Sequence, residues 1–230
     1  MRTKQAIVVI GVALLTLSVT GTVAAQRGGG DGRGMTAEKR DAAWTLEATG
    51  VAAQHELSSE KTTKLIEAYK NARKTQGQAT QILRQSGQRG PGMFQEMLAL
   101  NESERSKFRA ALKDTLSEEE IDKTLASLGT FNNQWDRLVD AFASFGLDDT
   151  EQQKGLNLIT QYVVDSDKAR TEALEAMDFQ SLRGSMQTLK EGLDTAMTEI
   201  ISAEQIADWK EKTAQRGRGG RGSGGGRPPQ

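Results

Sequence analysis

The 230-residue chain contains no cysteine and a single histidine, His55. The first absence removes disulfides, thiol nucleophiles and thiolate metal sites, so stability has to come from packing alone. The second leaves no convincing Ser-His-Asp set, and imidazole-based zinc ligation would need two chains or a carboxylate set. Proline is nearly as scarce, and only Pro91 falls between residues 35 and 215. Val and Ile are sparse in the same stretch, whereas Ala, Leu, Glu, Lys, Gln and Met are plentiful. That composition favours helix and leaves strands little to build on. No Gly-rich phosphate loop occurs, because the Gly-rich tracts at 27–34 and 216–230 follow no strand. The carboxylates recur at helix-surface spacing, as on a solvated face. The expected class is a protein that is not an enzyme and holds no metal and no cofactor.

The ends read differently from the middle. Arg2 and Lys4 precede an apolar run from Ala6 to Val19, and Val23-Ala24-Ala25 supplies small residues. This is the pattern of a signal peptide over 1–26 with cleavage near Ala25, and the run is short for a membrane span. Export follows, to a periplasm or outside the cell. Residues 27–35 form a Gly/Arg-rich linker and 216–230 a Gly/Arg-rich tail, both expected to stay flexible.

Charge is uneven across the remainder. Residues 35–130 hold 14 Lys or Arg against 14 Asp or Glu, and residues 131–215 hold 8 against 16. An acidic body does not suit nucleic acid, so none is expected as a partner.

Mostly apolar residues recur in steps of three and four, at Leu65, Tyr69, Ala72, the polar Gln76, Ala79 and Leu83, and again at Phe179, Leu182, Met186, Leu189, Leu193, Met197 and Ile200. Such steps draw one stripe along a helix. Eight helices are predicted, over 37–49, 58–86, 93–115, 117–128, 132–145, 148–176, 179–200 and 202–214. Gly129 and Gly146 fall where helix ends are wanted. The order short, long, long, short occurs twice. Setting 93–121 on 178–206 without a gap gives six identities, and Trp44 pairs with Trp135 and Leu57 with Leu147 upstream. The expectation is an all-α fold of two tandem four-helix units, 36–129 and 130–215, each built round a long helical hairpin.

One phrase recurs at helix starts. In "LSEEEI", Ser117 caps the helix, Glu120 can reach back to the Ser117 amide, and Leu116 and Ile121 can clasp across the cap. In "ISAEQI" the same parts are Ile201, Ser202, Gln205 and Ile206. Weaker copies are "LDDTEQ", with Leu147, Asp148 and Glu151, and "LSSEK", with Leu57 and Ser58 but Lys61 in the partner's place.

A signal peptide, a helical body without Cys, a long hairpin and paired phrases of the Leu-Thr-x-x-Gln kind resemble the Spy/CpxP family of periplasmic proteins. That family includes an ATP-independent chaperone, an envelope-stress regulator and a zinc-responsive relative, and its members dimerise into a curved cradle. The resemblance covers most of 44–212, in two copies. Ile201-Ser202-Ala203-Glu204-Gln205 is the nearest approach to the family phrase, and no copy matches it to the letter. The acidic second half also departs from the family chaperone's basic concave side.

The resemblance implies a chaperone-like role towards unfolded or misfolded envelope proteins. It leaves open a regulator that binds a membrane sensor domain, or a structural adaptor of the envelope. Met93, Phe94 and Met97 in the first half and Phe179, Leu182 and Met186 in the second, with Phe94 aligned on Phe179 and Met97 on Leu182, are the candidate client-binding residues. Methionine adapts to varied partners there. With both units on one chain, a monomer forming an internal pseudo-dimer is expected.

Overall fold

The structure, a computed structural model, describes residues 35–85 and 91–214. The expected signal peptide, the linker up to Gly34 and the Gly/Arg tail lie outside the described residues. Eight helices and no strand occur among the described residues, so the fold is all-α. They are α1 (Ala37–Gln54), α2 (Ser59–Gln85), α3 (Pro91–Leu112), α4 (Glu118–Leu128), α5 (Asn133–Ala143), α6 (Asp149–Ala176), α7 (Phe179–Met197) and α8 (Ala203–Thr213). None is long and apolar enough to cross a membrane.

The observed ends lie within three residues of the expected ones, α1 apart. There the prediction stopped at 49, but Gly50 stays helical and the helix runs on to Gln54. Gly50 is buried, and a Cβ on it would stand 3.2 Å from Leu156 Cβ. Its role is close approach of α1 to α6 rather than termination. The helix ends instead at a Schellman closure, in which the Leu57 amide donates to Ala52 O at 2.9 Å and the Glu56 amide to Ala53 O at 3.2 Å. Glu56 takes the left-handed conformation at φ 53°, and Gly146, ninety residues on, takes it at φ 63°. Gly129 does cap α4, but at an ordinary φ of −70°, and the left-handed residue is Phe131 at φ 47°.

α1 and α5 lie against each other at the centre and carry the buried Trp44 and Trp135. α2 packs on α3 and α6 on α7 as two long hairpins. α4 closes on α1 and α3, as α8 closes on α5 and α7. The arrangement is not fully reciprocal, since α6 also packs on α1 and α4 while α2 does not pack along α8. Neither hairpin packs along the other. Tyr69, Phe108 and Phe131 form an aromatic cluster with centroids 5.8, 6.1 and 6.5 Å apart. On α5, Phe142 lays its ring on the backbone of Gly155 in α6, where a Cβ would fall 1.9 Å from Cζ.

Candidate functional site

All four recurring phrases sit at helix starts. The Glu120 amide donates to Ser117 Oγ at 3.3 Å and the Ser117 amide to Glu120 Oε2 at 2.7 Å, a complete capping box. Ser202 and Gln205 repeat it at 3.3 and 2.9 Å. Asp148 and Glu151 do so at 2.8 and 3.4 Å. Ser58 accepts from the Lys61 amide at 3.4 Å with no return bond from the Lys61 side chain. Leu116, Ile121 and Ile201 are buried, and Leu57, Leu147 and Ile206 pack partly buried against the same core. These residues fix chain direction and are engaged in doing so.

The odd residue of the weakest phrase has its own use. Lys61 Nζ reaches Glu120 Oε1 at 2.6 Å and Oε2 at 2.8 Å, tying the start of α2 to the start of α4. The Lys61 ammonium first, and then the Ser117 amide, hold the Glu120 carboxyl down at about 2. In the second half Gln205 Nε2 reaches back to Phe145 O at 3.4 Å, just ahead of the Leu147 phrase.

The long hairpins change character along their length. The expected stripe on α2 is buried at Leu65, Tyr69, Ala72 and Gln76, but only half-buried at Ala79 and Leu83. From 77 to 103 no described side chain is buried, and the same holds from 174 to 192. Each hairpin therefore has a root in the core and an arm outside it. Met93, Met97, Leu182 and Met186 lie half-buried on the arms, and the side chains of Phe94 and Phe179 lie outside the described set. Ile82 is 69% exposed, Leu98 46% and Met177 82%. Met177 ends α6 in the left-handed conformation at φ 52°. An apolar side chain in that conformation at an exposed bend is uncommon.

Sequence reasoning missed a buried polar group between α1, α2 and α5. Arg73 NH2 donates to both oxygens of Asp136, at 2.6 and 2.7 Å, and to Asn133 Oδ1 at 3.0 Å. Its guanidinium lies 5.4 Å from the Trp44 ring centroid and 5.9 Å from that of Tyr69. The Tyr69 hydroxyl donates to Glu47 Oε2 at 2.6 Å. Burial, and then the charge of Asp136, push the Glu47 carboxyl well above the usual range. That direction favours a neutral Glu47, which leaves Arg73 and Asp136 to balance one another. The signal was present: Glu47 stands three residues after Trp44 and Arg73 four after Tyr69, on the core side of their helices.

Among the described residues no three His, Asp or Glu side chains converge to hold a metal ion. No family model, no curated protein and no solved structure matches this chain.

Proposed function

We propose that the protein is an exported, ATP-independent chaperone-like protein of the Spy/CpxP kind, with two such units in one chain, which binds unfolded envelope proteins on its hairpin arms. The observation that carries this reading is that both arms lack a buried side chain among the described residues yet keep apolar ones. On the first arm the two-helix layer has no third element to cover its apolar stripe, and flexible methionines suit varied partners.

The tandem reading rests on places that recur at fixed offsets. Phe108 and Leu193, Leu112 and Met197, and Leu116 and Ile201 stand eighty-five residues apart and are all buried. The capping boxes of Ser117 with Glu120 and of Ser202 with Gln205 keep the same offset. The left-handed Glu56 and Gly146 join them at ninety. Contact between α1 and α5 at the centre supports a monomer whose halves pair internally.

The test is suppression of client aggregation without nucleotide. The protein is expected to suppress, and Ile82→Ser with Leu98→Ser on the first arm is expected to weaken suppression at unchanged melting temperature. No suppression by the parent protein, or full suppression by the double variant, refutes the reading.

A further inference from the structure

Residues 131–215 carry 8 Lys or Arg against 16 Asp or Glu. Four of those cations nonetheless line one cleft of about 840 Å³ formed with α6, α7 and α8, beside only two acids. That volume is in the range of small-molecule sites, ~300–1,000 Å³. The two acids are already engaged. Asp194 pairs with Lys190 and accepts from Trp209 Nε1 at 2.7 Å, and Glu191 accepts from Gln187 at 2.8 Å. Arg170 donates to Gln134 Oε1 at 3.1 Å. Arg183 on α7 and Lys210 on α8 make no side-chain hydrogen bond or ion pair among the described residues, and both are exposed. Between the charges, Leu182 and Met186 line the cleft, one helical turn apart.

We propose that this cleft binds a free, single-chain amphiphilic anion. A carboxylate, sulfate or phosphate head is held by Arg183 and Lys210, and a short alkyl chain lies on Leu182 and Met186. Half the cations of an acid-rich half are gathered where an anion profits from them, and their sources on separate helices suit a compact head. The apolar strip explains why a bare anion does not suffice. The chain's own tail has the wrong sign, because beyond Ala214 on the cleft wall the sequence continues Gln215-Arg216-Gly217-Arg218. This site lies in the second half and does not require the chaperone reading, whose test uses Ile82 and Leu98 on the first arm.

Calorimetric titration of the purified protein with decanoate, decanol and acetate tests the proposal. Decanoate is expected to bind one per chain, and decanol and acetate at least about tenfold more weakly. Arg183→Glu with Lys210→Glu is expected to weaken decanoate about tenfold or more, from two reversed charges at exposed positions. An unchanged melting curve shows that this variant folds, and the wild-type comparison of decanoate with decanol stands apart from it. Equal binding of decanoate and decanol overturns the proposal. So does equal binding of decanoate by the parent and the charge-reversed variant. A third overturning result is silence towards decanoate with binding of an acidic peptide, or of phosphatidylglycerol vesicles, through the same two cations.

Discussion

Replacing Gly155 by alanine sets two effects of known sign against each other. In a helix interior, Ala is worth about 1 kcal/mol over Gly. At Gly155 the new Cβ would stand 1.9 Å from Phe142 Cζ and 2.5 and 2.6 Å from Cε2 and Cε1. Phe142 is 1% exposed, so its ring cannot swing out into solvent without leaving the core. Forcing a methyl into a packed core costs about 1–3 kcal/mol, and a clash this deep belongs at the upper end. The net expectation is a loss of about 1–2 kcal/mol, read as a fall in melting temperature of ~2–4 °C per kcal/mol. Gly184 and Gly192 on α7 are the controls, because nothing stands within 4 Å of a Cβ at either. Alanine there is expected to stabilise by up to ~1 kcal/mol at each site. Thermal unfolding of the three single variants by circular dichroism decides the matter. Adding Phe142→Leu to Gly155→Ala is expected to cost less than the two changes summed, since they share one contact. If Gly155→Ala stabilises as the α7 variants do, the ring-on-glycine contact between α5 and α6 is wrong.

Glu56→Gly is expected to stabilise by about 1 kcal/mol and Gly146→Ala to destabilise by a similar amount, because both positions are left-handed; matching signs in chemical denaturation would contradict this. Ser117→Ala and Ser202→Ala are each expected to cost about 0.5–2 kcal/mol while client binding persists, and loss of binding at intact stability would give the caps another role. Glu47 sets a pH dependence that begins above the ordinary glutamate value. Its folded pKa is raised, so its contribution is complete below the ordinary glutamate value and is lost as pH rises through the folded one. Glu47→Gln keeps an acceptor for Tyr69 and is expected to flatten the fall of melting temperature as pH rises above the ordinary glutamate value; an unchanged slope counts against a raised Glu47 pKa.

Local chemistry made much of the fold legible. Ser117 with Glu120 and Ser202 with Gln205 mark helix starts by short-range bonds, and both starts are where the phrases place them. The stripe Leu65, Tyr69, Ala72, Gln76 identified a core face by spacing alone. What escaped depends on partners distant in sequence. Gly50 looks like an interruption until Leu156 arrives against it from α6. Glu47, Arg73 and Asp136 look like ordinary surface charges until three helices bring them together. Lys61 looks like a defect in its phrase until Glu120, fifty-nine residues on, accepts it. The periodicity of the arms likewise continues past Gln76 with no change of pattern, and only the assembled molecule reveals where the covering helices stop.

That boundary at Gln76 and Glu104 divides the first hairpin into parts of unequal cooperativity. Its root shares the fate of the whole core, so its amides exchange with solvent only on global unfolding. Its arm is held by one helix against another, with Gln76 Nε2 donating to Asn101 Oδ1 at 3.2 Å near the division. Opening can therefore be confined to the arm and stop at the root, at far lower free energy than unfolding. An arm that frays and re-forms in this way presents its methionines in many arrangements over time. A partner that stills it gives up some of its own affinity to order the arm, and in return finds a surface that has adopted the partner's shape.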